Sequence, residues 1–320
     1  MADSDPPPQR RVLPAGVSRD ARGRRRLSVA QADNRAAHAF LAPWFCGLAL
    51  ITIFPMLASL YLSFTHYKIL TPPVWAGWQN YREMFTTDRR YFTAVWVTIK
   101  YVGTSVPLVL IFSLAIAVLL NRGIRGLAIY RSLFYIPSLI GGSVGIGMLW
   151  REVFGTRGVF NAFLALFGIR GIGWMSNPTY ALPTVIGLNV WTFGAAMVIF
   201  LAALRQIPES YYQAASMDGA GAWQRFRRIT LPLLTPVIFF NVVLNTIGAF
   251  QSFTQAFVIS AGSGGPVDST LLYTLYLYQR GFQQLDMGYA SAMAWVLLVA
   301  IAAITATIFW SARFWVFYGD

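Results

Sequence analysis

Residues 93–120 read TAVWVTIKYVGTSVPLVLIFSLAIAVLL, an apolar run interrupted by a single charge, Lys100. A helix needs roughly 20 apolar residues to cross a bilayer, because the hydrocarbon is about 30 Å thick and each residue rises about 1.5 Å. This run is long enough, and so are five others: Phe40–Thr65, Leu127–Trp150, Ala181–Leu204, Leu231–Ser260 and Ala290–Trp310. The expected fold class is therefore an all-α integral membrane protein of about six transmembrane helices. Composition agrees. The chain is 56% hydrophobic and 12% charged, where soluble domains carry roughly 25% charge. A single core cannot hide that much apolar surface over 320 residues. Pro55 and Pro107 are expected to kink their spans, with neighbouring helices satisfying the freed backbone groups. Gly141 and Gly145 form a G-x-x-x-G face suited to close helix packing.

Charge then orients the spans. Arg10, Arg11, Arg19, Arg22, Arg24, Arg25, Arg26 and Arg35 crowd the segment before Phe40. Arg122, Arg125 and Arg131 lie between spans two and three. Arg205, Arg225, Arg227 and Arg228 lie between spans four and five, and Arg313 follows span six. The opposite loops hold half as many: Lys68, Arg82, Arg89, Arg90, Arg151, Arg157, Arg170 and Arg280. By the positive-inside rule both termini are expected in the cytoplasm, in a multi-pass protein of the cell (inner) membrane. The net charge of +13 then reads as topogenic arginines meeting anionic head groups, with no nucleic-acid partner. Residues 1–39, rich in Pro and Arg and lacking apolar periodicity, are expected to form a disordered cytoplasmic tail. A membrane domain over 40–313 and a short cytoplasmic end over 314–320 would follow. Arg24–Arg26 faintly resembles a twin-arginine signal. The next apolar segment is distant and long enough to span, so an uncleaved helix is expected.

Motifs that carry chemistry are mostly absent from the sequence. Only two lysines are present, Lys68 and Lys100, and neither sits in a G-x-x-x-x-G-K-[ST] phosphate loop. There is no H-E-x-x-H and no G-x-S-x-G. The single cysteine, Cys46, permits neither an internal disulfide nor a cysteine metal site. His38 and His66 flank span one and receive no role. The expected spans contain no Asp or Glu, which argues against carboxylate proton relays. No catalytic residue, metal ligand or cofactor site is assigned. Any energy source must come from another chain.

The segment Arg205–Pro232 between spans four and five is different. Pro208 suits a first helical turn, Glu209 complements the positive end of that helix, and Gly219 can end it in the left-handed conformation. A second short helix is expected over about Ala222–Ile229, with Leu231-Pro232 opening the next span. Ala214, Ala215 and Ala220 would let a partner surface approach closely. Tyr211, Tyr212, Met217 and Trp223 are large and have no domain of their own to bury them. They either form a docking surface or fold back onto the ends of their own membrane helices.

The run Gln213-Ala214-Ala215, three residues, Gly219, nine residues, then Ile229-Thr-Leu231-Pro232 resembles the "EAA" loop of binding-protein-dependent ABC importer permeases, E-A-A-x3-G-x9-I-x-L-P. The spacing matches at every fixed position, and Gln213 stands where the family usually has Glu. Gly264-Gly265-Pro266, Ser269-Thr270, Tyr273–Tyr278 and Met287–Trp295 resemble the carbohydrate (maltose-type) branch. The resemblance implies a type I importer permease fold with a coupling loop over 205–230. It also implies a second permease subunit, a cytoplasmic ATPase dimer carrying ATP and Mg, and an external solute-binding protein. Gln213, Ala214, Ala215, Asp218, Gly219, Ile229, Leu231 and Pro232 are the coupling candidates.

Span five carries Asn241, Asn245, Gly248, Ser252 and Gln255 at offsets that share one helical stripe, with Gln251 beside it. Desolvating an unpaired amide costs several kcal/mol, so the stripe must face protein or a wet cavity. Two readings stay open: interhelical hydrogen bonding, or a sugar pathway to which the resemblance adds Trp191 and Thr192 from span four. The expected cargo is a mono- or oligosaccharide. The alternatives are a polyol or glycerol phosphate, or an ATP-independent channel or facilitator; a membrane-embedded enzyme lacks its constellation.

Overall fold

The computed structural model describes residues 29–123 and 126–317. The expected disordered tail and its Arg24–Arg26 cluster fall mostly outside them, as do Arg125 and the last three residues. The chain divides into two units, Met1–Ser59 and Leu60–Asp320.

In the first unit α1 (Val29–Gly47) begins well before Phe40, so residues 29–39 are helical where a tail was expected. It continues through a π-helical stretch, Leu48–Ile53, into α2 (Phe54–Ser63). The Phe54 N–H reaches back five residues to Ala49 O, immediately before Pro55. Such a widened turn accommodates a ring that has no N–H and crowds the carbonyl four residues back.

The second unit begins within α2, at Leu60, and continues into a hairpin of two-residue strands, β1 (Thr65–His66) and β2 (Val74–Trp75), paired antiparallel with Thr65 opposite Trp75. From α3 (Gln79–Thr86) the buried Asn80 amide donates to Ser63 O and Thr65 O at 2.8 and 2.9 Å. Then comes α4 (Arg89–Leu120), capped by Asp88 and unbroken across Pro107. Its buried positions recur every three or four residues, from Tyr91, Ala94 and Tyr101 to Ser113, Ala117 and Leu120. That period defines one helical face, which packs along its length against α8 (Pro178–Trp191), α9 (Gly194–Leu204) and α12 (Leu231–Phe250). Tyr101, Leu188 and Met293 fill one end of this core, and Met197, Phe200, Leu201 and Leu234 the other.

Among the described residues four helices are long and apolar enough to cross a membrane, Phe40–Ser63, Arg89–Leu120, Ala222–Phe250 and Met287–Ala312. Two bent pairs raise the number to six if each pair is one span. The window Leu127–Trp150 is no straight helix: α5 (Leu127–Ile140) and α6 (Val144–Val153) meet at 102°. Gly141-Gly142 permits the turn, and Ser143 caps α6 by accepting from the Ile146 N–H. The fourth window bends by 43° between α8 and α9. The two breaks meet: a Cβ on Gly141 would collide with the Thr192 methyl, and one on Gly194 with the Phe134 carbonyl oxygen. Gly145 borders open space instead, while Gly147 packs on Val258. The tight helix contacts thus use Gly141 and Gly147, not the G-x-x-x-G pair.

After α7 (Val159–Ala165) and α8–α9 comes α10 (Glu209–Met217). The expected second loop helix is not separate. α11 (Ala222–Arg225), a π-helical Phe226–Thr230 and α12 run as one helix from Ala222 to Phe250. Leu231-Pro232 does not open the span; it lies inside it, and the Leu231 N–H reaches Phe226 O five residues back, as happens before Pro55. Span five also ends early. α12 stops at Phe250 and α13 (Thr254–Ile259) follows a break, in which the Ser252 carbonyl accepts from Thr274 Oγ1 and its hydroxyl lies 3.2 Å from the Tyr101 hydroxyl. Finally α14 (Tyr273–Tyr278) passes through a π-helical turn toward α15 (Met287–Ala312).

Candidate functional site

The loop between α9 and α12 has a defined shape. Pro208 is the residue before the first turn of α10, and Glu209 places its carboxylate in that turn. At the other end Asp218 is the last half-helical residue, and Gly219 takes φ +78°. Gly219 N–H donates to Ser216 O at 3.1 Å and Ala220 N–H to Ala215 O at 2.9 Å. This paired closure needs a left-handed residue, which glycine adopts without steric penalty. Gln213, Ala214 and Asp218 are exposed and Ala215 is half-buried. Tyr212 does fold back, its hydroxyl 2.9 Å from that of Thr230. Tyr211, Met217 and Trp223 stay exposed, Met217 at 84%. Ile229, Leu231 and Pro232 serve differently from the rest: they form the stem joining the loop to α12, half-buried rather than presented.

A cleft of about 340 Å³ lies where α4, α8, α9 and α12 meet, lined by Asn189, Thr192, Asn241, Asn245 and Gly248 among others. The break between α8 and α9 exposes Thr192 here, and the buried Ser113 hydroxyl on α4 holds that break by donating to Phe193 O at 3.0 Å. Asn241 and Asn245 each donate to a carbonyl one turn back, Val237 O and Asn241 O, both at 2.9 Å. Each asparagine has one further amide N–H and one carbonyl oxygen, Asn241 being buried and Asn245 half-buried. No ionisable side chain lines it.

Of the expected stripe, Asn241, Asn245 and Gly248 therefore share the cleft with Thr192. The others do not. Gln251 ends α12 and is exposed, while Ser252 and Gln255 bond to each other at 3.2 Å past the helix break. A shared stripe from Asn241 to Gln255 requires one continuous helix, and the break at 251–253 ends it. Trp191 points away, its ring 5.9 Å from that of Trp150. Asn189 was missed, although it carries the signal that singled out Asn241, an amide inside an apolar span.

A second cluster was also missed. At the Asp88 end of α4, the opposite end from α10, the Asp88 carboxylate accepts from the Tyr276 and Tyr289 hydroxyls, each at 2.6 Å, and from Arg280 at 3.0 Å. Its other oxygen accepts from the Tyr91 N–H at 3.1 Å. Burial pushes this carboxyl up, and the four hydrogen bonds outweigh burial and hold it below its ordinary 3.8. Arg280 also reaches Glu83 at 3.1 Å. Beside it Arg90 grips Asp268 through two bonds of 2.9 and 2.7 Å. The cluster ties α3, α4, α14 and α15 into one end. Read by sequence, these arginines were only a charge count.

Residues 84–316 match the family model described as binding-protein-dependent transport system inner membrane component. The chain is 55% identical, over 89% of its length and 93% of the relative, to the "Probable ABC transporter permease protein YesP" of Bacillus subtilis (strain 168). It is 31% identical, over 86% and 93%, to the lactose transport system permease protein LacF of Rhizobium radiobacter. A chain of the bacterial alginate ABC transporter, solved with an alginate pentasaccharide-bound periplasmic protein, superposes with a TM-score of 0.76 at 21% identity, covering 88% of this chain and 95% of that one. That likeness concerns the fold. With the matched region beginning in α3 and running past α15, this chain belongs to the family of binding-protein-dependent transport system inner membrane components.

Proposed function

We propose that this protein is a membrane-spanning permease subunit of an ATP-driven importer, and that it passes a saccharide delivered by an external solute-binding protein. One observation carries the reading: the two helices joined by the α10 loop, α9 and α12, are also two walls of the asparagine-lined cleft. A force on α10 therefore acts directly on the walls of the pathway.

The partners follow from that role. A cytoplasmic ATPase dimer, holding ATP and Mg, receives α10 in a surface groove, with Gln213, Ala214, Ala215, Asp218 and Gly219 at the contact. Met217 and Tyr211 supply apolar area that water otherwise covers. Closure of the ATPases on ATP displaces α10, and the rigid turn at Gly219 transmits the motion into the helix beginning at Ala222. A second permease subunit completes the pathway. Both termini and the α10 loop lie in the cytoplasm, and the Asp88–Arg280 cluster faces the binding protein. Gln213 keeps a hydrogen bond to the ATPase where a glutamate would add charge.

Neutral amides suit a hydroxylated solute, since they donate and accept equally and bind it weakly enough to release. The names of the lactose and alginate systems favour a saccharide over a polyol or glycerol phosphate. The test is uptake by the purified, reconstituted complex with its binding protein and a panel of labelled saccharides. ATP-dependent accumulation is the expected result. Downhill flux that continues after the ATPase is inactivated would replace the importer with a facilitator.

A further inference from the structure

Two cavities adjoin where the Leu120 end of α4 meets α11. They share Val118, Arg122, Ala222 and Phe226, so they form one groove with two arms. The first, about 490 Å³, is walled by Ile111, Leu114, Ala115 and Trp223. The second, about 290 Å³, is walled by Asn121, Tyr212, Arg225 and Thr230. The apolar arm runs along residues of a helix long and apolar enough to span a membrane. The polar arm sits at that helix's end.

We infer that this groove binds one anionic glycerophospholipid, with an acyl chain along Ile111, Leu114 and Val118 and its phosphate between Arg122 and Arg225. Charge and depth together select this occupant. Neither Asp nor Glu lines either arm, so Arg122 and Arg225 line the groove without an acid beside them. Arg225 spends one N–H on Ser216 Oγ at 2.7 Å, and its other donors remain for an anion. Arginine forks match phosphate oxygens. Trp223, 69% exposed and stacked at 5.6 Å on Phe226, stands where an aromatic ring meets the head-group layer. A soluble anion would leave the apolar arm uncovered, and a neutral lipid would leave Arg122 and the remaining Arg225 donors without an anion. The groove joins α4 to α11, the helix start that follows the Gly219 turn. A bound lipid would therefore stiffen the stem through which α10 acts.

The test uses the assembled transporter in nanodiscs of phosphatidylcholine and phosphatidylglycerol, followed by detergent washing and counting of retained lipid by native mass spectrometry. Wild-type complex is expected to retain phosphatidylglycerol in preference to phosphatidylcholine. Arg122→Gln and Arg225→Gln should each lower that retention about fivefold, the effect of one basic residue near an anionic head group. Ala115→Trp, which plugs the apolar arm without changing charge, should lower it as well. Arg227→Gln, outside the groove, should not. Equal retention in wild type and all three groove variants overturns the inference, as does equal retention of the two lipids. A photoreactive residue replacing Trp223 that captures the second permease and no lipid overturns it too. Lipid retention does not read uptake, so this result and the saccharide assignment stand or fall separately.

Discussion

The Arg280 guanidinium lies 4.1 Å from the centre of the Tyr289 ring and donates to the same Asp88 oxygen that the Tyr289 hydroxyl reaches. A carboxylate, a cation and an aromatic face thus close on one another, with the Asp88 side chain only 8% exposed and that of Arg280 only 16%. Removing one member strands the other. Asp88→Asn should lower stability by roughly 3 kcal/mol, as expected when a buried pair loses one charge. Thermal unfolding of the detergent-solubilised protein reads this, and an unchanged midpoint would mean that the cluster is decorative.

The same carboxylate predicts a pH dependence with a definite sign. Its folded pKa lies below 3.8 because its hydrogen bonds outweigh burial. The unfolded chain therefore binds the extra proton first, and stability rises with pH across that interval. Asp88's contribution should be complete above about pH 4 and be lost as pH falls through the folded value. Wild type minus Asp88→Asn, measured as unfolding midpoint against pH, should shrink only at that acid end. A difference that shrinks near neutrality would contradict the assignment.

Gly219 at φ +78° cannot be replaced by a residue locked near −65°. Gly219→Pro should leave membrane insertion intact and abolish co-purification of the ATPase. Gly219→Ala, which strains the turn by about 1 kcal/mol, should weaken co-purification without eliminating it. Wild-type association in the proline variant would remove α10 from the docking surface.

Asn241→Leu and Asn245→Leu keep the branched side-chain shape and delete hydrogen bonding in the cleft. Each should reduce saccharide uptake by about three- to tenfold, the range for one net hydrogen bond, while basal ATP hydrolysis persists. Gln251→Leu, outside the cleft, should transport normally. If all three variants behave alike, the cleft is not the pathway.

Two glycines in the bent spans should behave oppositely. A Cβ on Gly194 meets the Phe134 carbonyl oxygen and, at 2.8 Å, the Tyr135 Cα, both backbone atoms that cannot step aside. Gly194→Ala should therefore destabilise by about 1–3 kcal/mol through overpacking. Gly145, with nothing within 4 Å, should accept alanine and gain a few tenths of a kcal/mol or more of helix propensity. Comparative thermal denaturation of the two variants decides it.

How much of this was legible in advance depended on the range of the forces involved. Membrane helices satisfy their backbone groups locally, so apolar length found the six windows, and the left-handed end of α10 was readable from Gly219 and its neighbours alone. The Gln213–Pro232 spacing alone carried the resemblance to the family. The breaks were not legible in that way. The stripe from Asn241 to Gln255 required one straight helix, and Tyr101 and Thr274, far along the chain, hold the break that ends it.

The sequence by itself determined that the chain carries apolar segments long enough to enter a bilayer and that its 213–232 spacing is that of the binding-protein-dependent permeases, because each rests on composition or on residues close together in the chain. Tertiary structure alone decided which amides share a cleft and that Asp88, Tyr276, Arg280 and Tyr289 converge. Those pairings join residues as much as 201 positions apart, and only the packing of α4 against the later helices brings such residues within hydrogen-bonding distance.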